Sequence, residues 1–143
     1  MKLTLTDQVS DDMRKAIIGP LARFNDARVG RSSDYRPLAV LILHPETDEI
    51  LGGLWGATSY SYLHVDLLFV PEIQRRSGLG RQVLTMAEEE ALRRGCHGVW
   101  LDTYSFQAKG FYEHLGYSVF GMIEDYPPNH SRIFLKKSIS KFA

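Results

Sequence analysis

The 143-residue chain is poor in cysteine, has no excess of either charge, and carries no long apolar run. The single Cys96 excludes an internal disulfide and a cysteine-cluster zinc site. No apolar stretch approaches the ~20 residues that span a bilayer. Residues 1–7 hold no apolar segment of the signal-peptide kind. A cytoplasmic setting with a reduced thiol is therefore expected. Lys plus Arg and Asp plus Glu each number 17. A chain without excess positive charge is a poor match for polyanions or anionic membranes, so neither nucleic acid nor membrane is an expected partner. Repeats and low-complexity stretches are missing too. Disorder, collagen and coiled coil fail on a composition with 44% hydrophobic and 24% charged residues. The length suits one domain, residues 1–143, able to fold without disulfide or metal.

What is present is patterned. Residues 1–36 carry seven basic and five acidic residues, residues 37–74 five acidic and no Lys or Arg, and residues 75–143 ten basic and seven acidic. Glu46, Asp48 and Glu49 share a polar turn, which leaves Asp66 and Glu72 as the acids of interest. Alternation at Leu3 and Leu5 predicts a short strand. Ser10 caps a helix that has Asp11 and Asp12 in its first turn. Gly19-Pro20 is expected to kink that helix or split it. Strands are predicted over 38–43, 50–58, 60–70, 99–104, 117–123 and 132–136. Leu79–Arg94 reads as the clearest helix, stopped by Gly95. A shorter helix is expected from a Ser105 cap through Ala108, Phe111, Tyr112 and Leu115. Strands in sequence followed by β-α-β-α-β argue for a mixed sheet with helices on both faces.

The most informative stretch is 65–81, where a strand enters a basic, glycine-containing turn that opens a helix. Helix N-termini expose unpaired N–H groups that bind phosphates, and glycine lets a ligand come close. Arg75, Arg76 and Arg81 add charge-assisted donors. The stretch reads as a pyrophosphate cradle or, equally, as a glycine-tolerant turn with solvated arginines. It is neither a Walker A loop nor a Gly-x-Gly-x-x-Gly fingerprint.

Arg75-Arg76-Ser77-Gly78-Leu79-Gly80 resembles the Arg/Gln-x-x-Gly-x-Gly/Ala signature of the GNAT superfamily, the acyl-CoA-dependent N-acetyltransferases. Ala108-Lys109-Gly110-Phe111-Tyr112-Glu113-His114-Leu115-Gly116-Tyr117 resembles its Ala-x-x-Phe-Tyr-x-x-x-Gly-Phe/Tyr segment. The resemblance implies a mostly antiparallel mixed sheet of about seven strands, in which a central parallel pair splays apart. It implies that acetyl-CoA is the donor, its pantetheine arm against the backbone of Leu68, Phe69 and Val70. The pyrophosphate then meets Arg75, Arg76, Ser77, Gly78, Leu79, Gly80 and Arg81. Ser105 stands where the family often has Asn, and contacts the cofactor or only caps the helix.

The resemblance makes Tyr112 the general acid for the CoA thiolate and a cofactor contact; the alternative is a core aromatic. Phe111 is expected to fill the core, leaving Tyr112 facing the cleft. His64 and Asp66 alternate on one strand and are candidates for the base that deprotonates the amine, or else ordinary strand residues. Asp102 has similar status. Tyr126 and His130, in a late loop with Glu124 and Asp125, are candidates for the acceptor pocket. No metal-ligand spacing and no nucleophile triad occurs, and Cys96 reads as a small buried residue. The reading is an acetyl-CoA-dependent N-acetyltransferase acting on a primary amine in a ternary complex, as monomer or homodimer. Its rival is a non-catalytic acyl-CoA-binding module.

Overall fold

The computed structural model describes residues 1–75 and 77–140. They fall into two compact units, Met1–Ser33 and Asp34–Ala143.

The first unit is built on helix α1, Asp11–Val29. Ser10 is its N-cap, its hydroxyl accepting from the Met13 amide at 3.2 Å, and Asp11 and Asp12 occupy the first turn. Gly30 ends the helix in the left-handed conformation, donating its N–H to the Asp26 carbonyl at 2.9 Å. Pro20 lies inside a single continuous helix, so the expected split does not occur. The missing Pro20 N–H removes one helical bond, which the turns on either side tolerate. No strand forms at Leu3–Leu5. A short alternation supplies no ladder partner of its own, and a strand needs one.

The second unit is a six-stranded sheet with two α-helices and one short 3₁₀ turn. The strands are β1 (Arg36–Leu43), β2 (Ile50–Ser59), β3 (Tyr62–Phe69), β4 (Gly98–Tyr104), β5 (Ser118–Glu124) and β6 (Ser131–Ser138). Their order across the sheet is β1-β2-β3-β4-β6-β5. Each pairing is antiparallel except β3 with β4, which is parallel. The mixed sheet with a central parallel pair is the expected one, with six strands instead of about seven because Leu3–Leu5 contributes none.

Helix α2, Leu79–Arg93, connects the parallel strands. Its apolar stripe of Val83, Leu84, Ala87 and Ala91 is buried, as 3.6-residue periodicity requires. The facing sheet surface supplies Leu54, Leu63, Val65, Val99, Leu101 and Leu135 to the same core. Helix α3, Lys109–His114, adds Tyr112 to it. The start of α3 corrects the sequence reading. Ala108, not Ser105, is the N-cap residue. Ser105 instead pairs with Ser131, its N–H donating to the Ser131 carbonyl at 2.8 Å and its hydroxyl accepting from the Ser131 amide at 2.9 Å. Gln107 closes the intervening turn, accepting at Oε1 from the Thr103 hydroxyl at 2.9 Å and the Tyr104 amide at 2.7 Å.

One irregularity shapes the centre. Between β2 and β3 the register shifts, with Trp55 opposite Leu67 and Gly56 opposite Val65. Asp66 is therefore the extra residue of a β-bulge, a feature that bends its strand. A Cβ on Gly56 would lie 2.2 Å from the His64 carbonyl oxygen, so only glycine fits beside the bend. The β3–β4 ladder runs from Tyr62↔Gly98 to Val65↔Leu101 and stops there. The parallel strands part where the bulge begins.

Candidate active site

Beyond Val65, β3 still pairs with β2 through Leu67, Leu68 and Phe69, while its other edge has no strand partner among the described residues. This is the expected splay, with Leu68 and Phe69 on its rim. Val70 follows, and its carbonyl accepts from the Arg75 side-chain Nε at 3.1 Å. The Arg75 guanidinium also lies 5.8 Å from the Phe69 ring centroid. It is thus folded back onto the end of β3. Arg76 lies outside the described residues. The Ser77 hydroxyl donates to the Gln74 carbonyl within the turn.

Gly78 is the N-cap of α2, with φ +84° and no side-chain cap. That left-handed conformation favours glycine, and the space around it is open. Leu79, Gly80 and Arg81 form the first turn, whose N–H groups have no intrahelical acceptors. Gly80 is a different case from Gly78. A Cβ there would lie 3.2 Å from Phe111 and 3.4 Å from Val70. Gly80 therefore lets the helix start seat against both α3 and the end of β3.

Tyr112 is 7% exposed. Its ring meets Phe111 and Tyr117 edge-on, with centroids 5.1 and 5.9 Å away. The expected division, Phe111 in the core and Tyr112 in the cleft, is therefore altered. Phe111 packs at the margin beside Gly80, and Tyr112 enters the core. The Tyr112 hydroxyl has no hydrogen-bond partner among the described residues. Burial and the nearby Asp102 charge push its pKa up to about 12, so the phenol holds its proton across the neutral range. Tyr117 donates to Glu88 Oε2 at 2.7 Å, and Glu88 also takes Lys137 at 3.1 Å. That partly buried network holds the far side of the aromatic pair.

The candidate bases lie on the other surface of the sheet. His64 stacks on Trp100 across the parallel ladder, with centroids 3.8 Å apart and planes within 9°. Its Nε2 is buried without a partner. Burial lowers the imidazole pKa, opposed by Asp66 and Asp102 and reinforced by Arg132. His64 is thus held neutral, the form that accepts a proton. Asp66 is exposed at the bulge.

Asp102 follows Trp100 on this surface and forms an ion pair with Arg132 at 2.9 Å. Arg132 also donates to the Tyr126 hydroxyl at 3.2 Å. Tyr104 stacks with Phe106 at 5.3 Å and with Tyr126 at 5.9 Å, and His130 meets Phe106 edge-on at 4.9 Å. Tyr126 and His130 thus join one aromatic cluster at the end of β4. Sequence reasoning did not single out Arg132, Tyr104, Phe106 or Trp100. The alternation Trp100-Asp102-Tyr104 puts three of the cluster's neighbours on one face and was the available signal.

A parallel pair splayed at a bulge, next to an uncapped glycine-started helix, can be compared with known proteins. The profile of the Acetyltransferase (GNAT) family matches residues 8–117. The chain belongs to the GNAT acetyltransferase family. An acetyltransferase of Agrobacterium fabrum is 39% identical over 137 residues, spanning 96% of this chain and 98% of that protein. The blasticidin-S acetyltransferase of Streptomyces morookaense is 40% identical over 107 residues, 73% of this chain and 79% of that protein. The crystal structure of an Agrobacterium tumefaciens protein assigned as an acetyltransferase superposes with a TM-score of 0.87 at 38% identity, covering 96% of this chain and 99% of that one.

The GNAT protein is an acyltransferase that uses acetyl-CoA as donor and transfers its acetyl group to an amine. A non-catalytic module is not favoured by these relatives. No described helix is long and apolar enough to cross a membrane.

Proposed function

We propose that this GNAT protein acetylates a cationic primary amine by direct attack on acetyl-CoA in a ternary complex. The observation that carries the reading is the splay of β3 from β4 beside the glycine-started helix α2. The free edge at Leu68, Phe69 and Val70 suits the amide-rich pantetheine arm, as an added strand would pair. The α2 N-terminus suits the pyrophosphate, with Ser77, Gly78, Leu79, Gly80 and Arg81 around it and Arg75 alongside. Ser105, tied to Ser131, would line the arm only through its backbone segment.

Attack requires a neutral amine. His64, held neutral by burial, takes the ammonium proton, with Asp66 beside it. The nitrogen lone pair then forms the C–N bond as the C–S bond breaks. Tyr112 donates its proton to the thiolate and recovers one from the new amide nitrogen. No acetyl-enzyme is formed. Acids without a basic neighbour over 37–74 favour a cationic acceptor, and Tyr126 and His130 would flank it. The blasticidin-S acetyltransferase relative makes blasticidin S a sensible first acceptor to test.

The chain is proposed to work as one domain over residues 1–143, because the family profile runs from 8 to 117 across the boundary at Ser33. Zero net charge supports a small-molecule or protein amine over nucleic acid. The single reduced thiol supports a cytoplasmic setting. The test is thiol release from acetyl-CoA against blasticidin S, aminoglycosides, amino acids, peptides and simple amines. Release with at least one amine is expected. A rise in melting temperature with acetyl-CoA but release with none would reject the proposal.

A further inference from the structure

We propose that Asp102 binds the ammonium group of the acceptor at the mouth of the splay, with Arg132 as its positioning residue. This rests on the amine-transfer reading above and deepens it.

Position comes first. Leu101 is the last β4 residue paired to β3, so Asp102 is the first residue beyond the point of parting. It alternates with Trp100, the residue on which His64 stacks. Asp102 therefore shares a surface with the imidazole whose Nε2 lacks a donor.

The second observation is how the carboxylate is held. Oδ1 accepts from Arg132 Nε at 2.9 Å. Oδ2 accepts from no described group, and it is not sealed from solvent. The Asp102 side chain is only 18% exposed. Arg132 is itself fixed by the Tyr126 hydroxyl, and its guanidinium lies 5.7, 5.4 and 5.7 Å from the ring centroids of Tyr104, Tyr126 and Phe134. An ordinary surface ion pair has two mobile partners and contributes little. Here one oxygen is clamped by a boxed arginine and the other is left to a ligand.

An ammonium group carries three donors and no acceptor. One donor satisfies Asp102 Oδ2, which has no partner among the described residues. His64, on the same surface, removes one of the ammonium protons, leaving a neutral nitrogen beside the opening where the thioester is proposed to lie. The His64 proton then passes to water. Asp66, Asp102 and Arg132 are the charged groups acting on His64, and Lys136 stands opposite Trp100 on β6, so the open Asp102 oxygen and not a net surface charge is what draws the cation.

The experiment compares n-propylamine, cationic at pH 7.5, with methoxyamine, neutral there, as acceptors for acetyl-CoA. Asp102→Asn keeps the shape and removes the charge. Its kcat/KM should fall for n-propylamine at least about tenfold more than for methoxyamine, the scale of a charged hydrogen bond. The acetyl-CoA KM and the melting temperature should hold. Arg132→Gln should raise the n-propylamine KM more than it lowers kcat, and Arg132→Lys should restore part of it. Equal losses for the two amines, no loss, or a matching rise in acetyl-CoA KM would overturn the assignment. Turnover of neither amine, while another amine of the acceptor panel is acetylated, would overturn the assignment alone; release with no amine at all would overturn the transfer reading together with it.

Discussion

Replacing Tyr112 by Phe separates a chemical role from a packing one, because the hydroxyl makes no hydrogen bond to any described residue while the ring is buried. Removing an unpartnered hydroxyl strands no neighbour, so stability at pH 7 should change by less than about 1 kcal/mol. Both ring contacts, with Phe111 and Tyr117, are kept. A general acid typically contributes 10²–10⁴-fold, so kcat should fall by about that factor with acetyl-CoA KM nearly constant.

Stability against pH gives an independent check on the same residue. The folded pKa is about 12 against an ordinary value of 10.0. The raised value means that the folded state keeps a proton which the unfolded state releases. Its stabilising contribution is therefore whole below pH 10 and is lost as pH climbs through 12. By pH 11 the loss is about 1.4 kcal/mol. Denaturant unfolding at pH 9 and pH 11 should show the native protein losing about that much more than Tyr112→Phe over the interval. Tyr117, also raised by burial and by Glu88, titrates in both proteins and cancels. Equal losses in the two proteins, or a variant with full turnover, would refute the reasoning.

Gly78→Ala should keep the fold, since the space is open, but cost about 1–2 kcal/mol from its left-handed φ and raise the CoA Kd several-fold, read by calorimetry. Gly80→Val should do worse, because even a Cβ presses on Phe111 and Val70; thermal unfolding and the CoA Kd should both deteriorate. Tyr117→Phe removes a hydrogen bond to a partly buried carboxylate and should cost about 1.5–3 kcal/mol, seen in denaturant midpoints, while Glu88 keeps Lys137. Activity on the acid side should fall as His64 takes up a proton, with a midpoint below the ordinary imidazole value, checked by a kcat/KM profile against pH.

Where residue type and local spacing carry the information, the chain could be read directly. The α2 stripe, its glycine start and the alternation of β3 and β4 all follow from periods of 3.6 and 2. Ser10 capped a helix as expected because the amide that donates to it, Met13 N–H, lies three residues away. Ser105 did not, although it is the same residue type before a similar run. A partner 26 residues further on, Ser131, takes its hydroxyl and its amide. Leu3–Leu5 fails for the related reason that a strand is defined by a neighbour, which alternation alone cannot provide.

The acid side of the site was legible as a motif, and its surroundings were not. Tyr112 sits in a recognisable run, but whether it or Phe111 enters the core depends on Gly80, about thirty positions earlier, which draws Phe111 to the helix start. The base side was legible as His64 and Asp66 on one strand. What makes that pair chemically distinct is the bulge at Asp66, set by a register shift against Trp55 and Gly56. The bulge ends the pairing with β4 at the residue before Asp102, so one backbone irregularity opens the gap and sets the carboxylate at its edge. Arg132, on β6 and 30 residues from Asp102, then fixes that carboxylate from across the ladder. The register thus sets the opening at Asp102 between the proposed acid on α3 and the proposed base on β3, and burial pushes the two in opposite directions, the Tyr112 pKa up to about 12 and that of His64 down.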